Sequence, residues 1–221
     1  MLLDKVQRGL KRPAKAWKYV HRRYRDYRAE DRITCDYDVV TMSKDPPDFS
    51  HELFTDVDLI ERGLGEYRAS KSLEIGCGYG RLTPWLARRS ADHYAIDPEK
   101  ELLDDARQLY PNVTFHNVLA QELPYEDSIF DLIVSFGVLT QVPNEQLDQV
   151  AGEIERVASN NRKLLIAEKI GAVEDTNRVY TRSISEYHSL FSSFDLVETI
   201  ERPLDQDYWG EDFRYALMCF R

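Results

Sequence analysis

The stretch Leu73–Leu82, "LEIGCGYGRL", decides how the rest of the chain is read. Three glycines at alternating positions interrupt an apolar run, and a glutamate precedes them. Leu73-Glu74-Ile75-Gly76 has the composition of a short buried strand. Arg81 onward is placed in a helix. The glycines then form a strand-to-helix turn at the carboxyl edge of a sheet, where open α/β folds bind ligands. Glycine permits positive φ and lets a ligand approach the backbone closely.

Working outward, short β-rich runs alternate with helical segments from Ser72 on. Strands are expected at 72–76, 92–96, 113–117, 130–136 and 162–168, with helices at 79–90, 99–109 and 144–158 between them. Alternating strand and helix implies a parallel sheet covered on both faces. A helix at 183–192 follows, and then the strands "FDLVETI" and "FRYALMCF", joined only by a loop. That connection suits an antiparallel pair at one edge of the sheet. The expected fold is therefore α/β: a Rossmann-like, seven-stranded, mostly parallel sheet with helices on both faces and an antiparallel C-terminal strand pair.

Before this domain, residues 1–30 form a basic amphipathic segment in which Leu3, Val6, Leu10, Ala14, Trp17, Val20, Tyr24 and Tyr27 recur at helical steps. Residues 31–70 read as a linker and a helical cap, with a helix at about 52–67, and residues 71–221 as the ligand-binding domain. The chain carries a net charge of −10, yet residues 1–32 hold eleven Lys and Arg against four Asp and Glu. The apolar stripe amid basic residues suits an anionic membrane surface. Packing on the acidic domain, or a dimer contact, would serve it equally, and the oligomeric state stays open. The acidic domain opposes broad contact with nucleic acid.

Arginine outnumbers lysine 20 to 9, and an acidic, lysine-poor surface suits a cytoplasm full of salt, as in a halophile. There is no apolar run of membrane-span length, and the N-terminus lacks the pattern of a signal peptide, so an intracellular protein is expected. The three cysteines are scattered and show neither metal spacing nor a disulfide framework.

A second strand, "HYAID", ends in Asp97, 21 residues after Gly76. An acidic side chain at that point can accept hydrogen bonds from both hydroxyls of a ribose. A dinucleotide fingerprint would put a small residue five positions after its first glycine, and Arg81 stands there instead.

The pattern Glu74-x-Gly76-x-Gly78-x-Gly80 resembles the first motif of class I S-adenosylmethionine-dependent methyltransferases. The resemblance continues through Asp97, through "LAQELPYEDSIFDLIVSFGVL" (Leu119–Leu139) and through the terminal strand pair, covering about residues 70–221. "LPYEDSIFD" is similar to the signature of the small-molecule branch. The resemblance implies S-adenosyl-L-methionine as cofactor and assigns roles to matching residues. Gly76, Gly78 and Gly80 would line its methionine and ribose, and Glu74 would help hold the amino group. Arg81 would pair with the carboxylate, and Asp97 would hold the ribose hydroxyls with Ile96 or Pro98 beside the adenine. Ala120 and Gln121 lie where adenine is read, and Phe136 and Gly137 end the fourth strand beneath the transferred methyl. Leu119 departs from the family, whose members often carry Asp there, so adenine would rely on backbone groups or Gln121.

No residue presents itself as a compelling general base. Glu168, ending the fifth strand, and His188 in "SEYHSLF" are the candidates. That favours an acceptor which is already an anion, such as a carboxylate, positioned by an arginine such as Arg178 or Arg182. Tyr187, Asp205, Asp207 and Tyr208 lie in regions that often cap such sites. With the halophile-like composition and the N-terminal segment, the chain looks like methyltransferases of archaeal surface-glycan assembly. These act on a sugar such as a hexuronic acid of a lipid-linked glycan at the cytoplasmic membrane face. A methyltransferase of a soluble metabolite or quinone-like lipid, and a non-catalytic partner that keeps the fold, are the alternatives.

Overall fold

The computed structural model describes residues 46–170, 180–203 and 214–221. The expectations for residues 1–30 and for the linker up to 45 lie outside the described residues, as do those for Arg178, Asp205, Asp207 and Tyr208.

Helix α1, Pro46–Leu64, begins earlier than expected, because a proline is accommodated in a first helical turn. It stops at Gly65, whose φ of +56° lets its N–H bond back to Glu61 O at 2.9 Å. The buried Lys163 ammonium donates to the carbonyls of Gly63 and Leu64, closing the same helix end.

Then come β1 (Ala69–Ile75), α2 (Thr83–Ala87), β2 (Ser90–Ile96), α3 (Lys100–Leu109), β3 (Thr114–His116) and β4 (Phe130–Phe136). A 3-10 turn at Leu139–Gln141 leads to α4 (Asn144–Val157), β5 (Ala158–Ile170), α5 (Ile184–Leu190), β6 (Leu196–Pro203) and β7 (Arg214–Phe220). The strands form one sheet in the order β3-β2-β1-β4-β5-β7-β6. Pairing is parallel from β3 to β5 and antiparallel for β5–β7 and β7–β6. The expected fold class is the observed one. The strand order reverses between β1 and β4, the point at which doubly wound sheets open a crevice.

Strand parity sorts the core into two layers. Leu73, Ile75, Ile96, Ile133, Leu164, Ile166, Met218 and Phe220 pack with α4 and α5. From α4 come Leu147, Val150, Ala151, Ile154 and Val157, each worth roughly 1–3 kcal/mol when taken from water. The opposite face carries α1 against β6 and β7, α2 against β1 and β2, and α3 against β3. Gly63 lets α1 lie close, since a Cβ there would stand 2.5 Å from Leu217 Cδ2. Helix α5 opens with a capping box, Ser183 and Glu186 exchanging side-chain and backbone bonds.

The helix expected at 79–90 is the main departure: α2 holds only five residues. A turn closed by Gly80 N–H on Cys77 O at 2.9 Å occupies the start, and Pro84 sits in the first helical turn. The chain must also be back by Ser90, which pairs with Ala69. Arg81 and Leu82 therefore belong to the loop.

Candidate functional site

At the switch point between β1 and β4 lies an open cleft of about 290 Å³, solvent included, lined by Glu74, Ile75, Gly76, Cys77, Arg81, Leu82, Val134 and Phe136. Parity accounts for the strand contributors: Glu74 stands opposite Val134, and Phe136 follows two positions on.

The glycine loop is built by positive φ at Gly76 (+70°), Gly78 (+54°) and Gly80 (+86°). The reasons differ. A Cβ on Gly76 would lie 2.3 Å from Val138 Cγ2, and one on Gly80 would lie 2.7 Å from Tyr110 Cε2. Both glycines thus satisfy the protein's own packing. A Cβ on Gly78 would meet nothing nearer than Leu102 Cδ1 at 3.9 Å, so only here does the loop leave room for something else. Cys77 turns its side chain into an apolar cluster with Ala95, Leu103, Ala106 and Phe115. Burial, with Glu74 and Asp97 nearby, holds its thiol well above its ordinary pKa, which makes it a packing group rather than a nucleophile.

Glu74 is 5% exposed. Its Oε2 accepts from Thr83 Oγ1 at 2.6 Å and from His93 Nε2 at 3.3 Å. Among the described residues Oε1 receives no donor, and it is not sealed off. Asp97, 2% exposed, stands behind the loop: Oδ2 accepts from Gly78 N–H at 2.7 Å and Oδ1 from Glu99 N–H at 2.9 Å. Burial pushes its carboxyl up to about 6, against the pull of those two amide bonds. Each oxygen keeps a lone pair. Asn117 Nδ2 donates to the carbonyls of Asp97 and Pro98 and fixes the end of β2 against the segment after β3.

The predicted site residues are placed as follows. Glu74, Gly76, Arg81 and Phe136 line the cleft, and Gly78 links it to Asp97. Gly137, with φ of +68°, carries the chain off β4, its N–H bonded to Ala167 O at 2.8 Å. Ala120 and Ile96 are buried in the core. Gln121 donates to Gln146 Oε1 at 2.7 Å, and Leu119 and Pro98 are exposed.

Glu168 and His188 are not brought to the cleft. Glu168 shares its face with Leu164 and Ile166 and is fully buried beneath α4 and α5. Its carboxylate accepts from Val138 N (3.0 Å), Leu139 N (2.8 Å), Thr140 N (3.3 Å) and Thr140 Oγ1 (3.1 Å). Burial raises it to about 7 in spite of these four donors. His188 lies exposed in the last turn of α5. Arg182, expected near an acceptor, is 5% exposed and gives its guanidinium to the carbonyls of Leu139, Val142 and Tyr180 and to Asn144 Oδ1. Glu168 and Arg182 thus clamp the 3-10 turn, the carboxyl group taking its N–H groups and the guanidinium its carbonyls.

The sequence reading missed Asp56 and Arg202. Asp56 of α1, 4% exposed, pairs with Arg81 Nη1 through Oδ2 and with Arg202 Nη2 through Oδ1 at 2.6 Å. The Arg81 guanidinium carbon lies 5.4 Å from the Phe136 ring centroid, and that of Arg202 lies 5.2 Å from Tyr215. One carboxylate on the cap helix therefore ties the glycine loop to β6 beside the cleft. Asp56 and Arg202 are 146 positions apart, and no local pattern joins them.

Residues 73–161 match the family described as methyltransferase domain. Among curated relatives, the chain is 32% identical over 114 residues to methyltransferase GfsG of Streptomyces halstedii, covering 48% of this chain and 40% of the relative. It is 30% identical over 93 residues to a ubiquinone biosynthesis O-methyltransferase of Alkalilimnicola ehrlichii, 40% of this chain and 38% of the relative. The chain spans about two fifths of the length of such relatives.

Two solved structures have the same fold. The N-methyltransferase NodS from Bradyrhizobium japonicum, in complex with S-adenosyl-L-homocysteine, superposes with a TM-score of 0.63 at 19% identity, covering 80% of this chain and 89% of its own. The [4+2]-cyclase SpnF gives 0.62 at 19% identity, covering 76% of this chain and 80% of its own. The curated relatives named are methyltransferases, and NodS, whose fold this chain shares, holds S-adenosyl-L-homocysteine. Along the cleft Glu74 keeps one oxygen without a donor among the described residues, Gly78 leaves space beside the loop, and each oxygen of Asp97 keeps a lone pair. Among the described residues no helix is long and apolar enough to cross a membrane, and no His, Cys, Asp and Glu cluster could hold a metal.

Proposed function

We propose that this protein transfers a methyl group from S-adenosyl-L-methionine to a carboxylate of a hexuronic acid in a lipid-linked glycan, at the cytoplasmic face of a membrane. One observation carries the cofactor half of the reading. The only acidic side chain lining the described cleft, Glu74, keeps an open oxygen there. When bound, the cofactor supplies a sulfonium-activated methyl, so the chain's task is alignment and exclusion of water. Glu74 would hold the ammonium, Arg81 the carboxylate and Asp97 the ribose diol, with Phe136 and Gly137 beneath the methyl.

The acceptor half rests on what the cleft offers a nucleophile. Of its titratable lining residues, Glu74 is engaged at Oε2, Cys77 is turned inward and Arg81 is cationic. Glu168 is committed to the loop after β4. None is placed as a general base, which supports an acceptor already ionised at neutral pH. The basic, aromatic-bearing segment 1–30 would bring the domain to an anionic surface. A soluble metabolite or quinone-like lipid acceptor is the second reading, favoured by the biosynthetic O-methyltransferase among the relatives. Because a [4+2]-cyclase shares the fold, the fold alone does not fix the reaction.

The test is calorimetric titration of the full chain, in high salt, with S-adenosyl-L-methionine and separately with NAD. Transfer of labelled methyl to uronic-acid glycolipids and to the free sugar would follow. Binding of the first ligand alone, with transfer to the glycolipid, is expected. A folded protein that binds neither ligand is a non-catalytic partner. Transfer to soluble acceptors only, with no sedimentation on anionic liposomes, overturns the membrane reading.

A further inference from the structure

Behind Glu74 a chain of buried polar groups runs between β1 and β2 and uses no residue assigned to the ligand so far. Ser90 Oγ lies 2.6 Å from Ser72 Oγ, Ser72 Oγ lies 2.6 Å from His93 Nδ1, and His93 Nε2 lies 3.3 Å from Glu74 Oε2. Thr83 Oγ1 reaches the same Oε2 at 2.6 Å. Ser72 and Thr83 are fully buried, and His93 and Glu74 are each 5% exposed. Polar groups at this depth cost free energy unless hydrogen-bonded, and each member has a partner, Ser90 Oγ reaching Leu86 O at 3.4 Å as well. Glu74 Oε2, which already accepts from Thr83, accepts from Nε2–H of His93. A carboxylate oxygen can only accept, so Nε2 carries a hydrogen whichever way the two serine hydroxyls turn.

The arrangement looks like a serine–histidine–carboxylate relay, but the hydroxyl is sealed inside the sheet and no substrate could reach it. Its consequence falls at the other end. Both protein donors converge on Oε2, and Oε1 of this cleft-lining residue is left with none among the described residues. Either donor alone would leave the carboxylate free to turn about its last torsion, which is broad for glutamate.

We infer that His93 and Thr83 are positioning residues: they lock the Glu74 carboxylate so that Oε1 alone is presented to the ammonium group at the amino-acid end of the cofactor. The role rests on the cofactor reading above. It makes affinity for the amino-acid moiety, and not for the adenosyl moiety, depend on a histidine that never touches the ligand.

S-Adenosyl-L-homocysteine and 5′-methylthioadenosine separate the two moieties, because the second has the adenosyl thioether without the amino acid. Each is titrated into the full-length wild type and the variants His93→Phe, His93→Gln and Thr83→Val. His93→Phe fills the space without a donor and should weaken the homocysteine ligand about tenfold or more, as expected for a lost contact to a charged group. Methylthioadenosine should stay within about twofold of wild type. His93→Gln, with an amide N–H able to reach Glu74, should recover most of the loss. Thr83→Val is close to isosteric and should weaken the homocysteine ligand several-fold, so the test survives if His93→Phe does not fold. Equal loss of both ligands in the variants, or loss of neither, overturns the role. A folded wild type that binds neither ligand removes the cofactor reading, and the role of His93 with it.

Discussion

Glu74 near the end of β1 and Glu168 near the end of β5 flank β4 from either side, and both are buried carboxylates at the carboxyl edge of the sheet. They face opposite layers and are satisfied to different degrees. Glu168 receives three backbone N–H groups and a hydroxyl, shared between its two oxygens. Glu74 receives two side-chain donors, both on one oxygen. A buried carboxylate with a full set of donors is part of the frame. One with an open oxygen on a cleft has capacity for something the chain does not supply. The same contrast separates the two loops: the 3-10 turn after β4 is clamped at both ends, while the glycine loop has room at Gly78.

The largest expected effect lies on the frame side. Glu168→Ala leaves the N–H groups of Val138, Leu139 and Thr140 without their acceptor. It should cost about 3–5 kcal/mol in urea denaturation. The group also leaves a pH signature. Burial holds the folded carboxyl at about 7, above its ordinary 4.5, so the native state binds the proton more tightly than the unfolded one. Its contribution to stability is greatest below 4.5 and declines as pH rises through about 7. The stability difference between wild type and Glu168→Gln should therefore fall across that window and level off above it. A flat difference would mean that the carboxyl is not held neutral in the fold.

Next in size is Gly76→Ala, which adds strain at positive φ to a clash with Val138. The two should total about 2–4 kcal/mol by thermal or urea unfolding. Pairing it with Val138→Ala should restore only the steric part, which a double-mutant cycle isolates. On the cleft side, Glu74→Gln should cost little stability, since the amide oxygen can still accept from Thr83. It should weaken S-adenosyl-L-homocysteine by about tenfold through loss of charge at the ammonium. If Glu74→Gln instead costs as much stability as Glu168→Ala and leaves affinity intact, the contrast between the two glutamates is reversed.

Much of this frame could be read from local pattern. Alternation of strands and helices led to the sheet, and the run of glycines after "LEI" located the turn. What escaped depends on long-range geometry or on turn detail. The helix expected at 79–90 fails because Gly80 closes a turn and Pro84 restarts the chain as a helix. Glu168 looked like a site residue because it ends a strand at the correct edge. Yet parity within "LLIAEKI" puts it with Leu164 and Ile166, under α4 and α5, and that signal was available. Asp56 had no such signal, since an aspartate on an amphipathic helix reads as solvated surface until Arg81 and Arg202 close on it.

The smallest effect on stability, and the finest test of the comparison, is Gly78→Ala. Its φ of +54° costs an alanine about 1 kcal/mol. The added methyl meets only Leu102 at van der Waals distance, so no packing penalty follows as it does at Gly76. The residue still bonds through its N–H to Asp97, which the substitution leaves in place. If the space beside Gly78 exists for the cofactor, the methyl occupies it. Affinity for S-adenosyl-L-homocysteine and for methylthioadenosine should then fall together, out of proportion to the small loss of stability. Gly76→Ala should show the reverse proportion, a large loss of stability with binding reduced only as folding is. If Gly78→Ala leaves both ligands untouched, the room at Gly78 is a property of the turn alone, and the site's middle section must be sought elsewhere along the edge of β1 and β2.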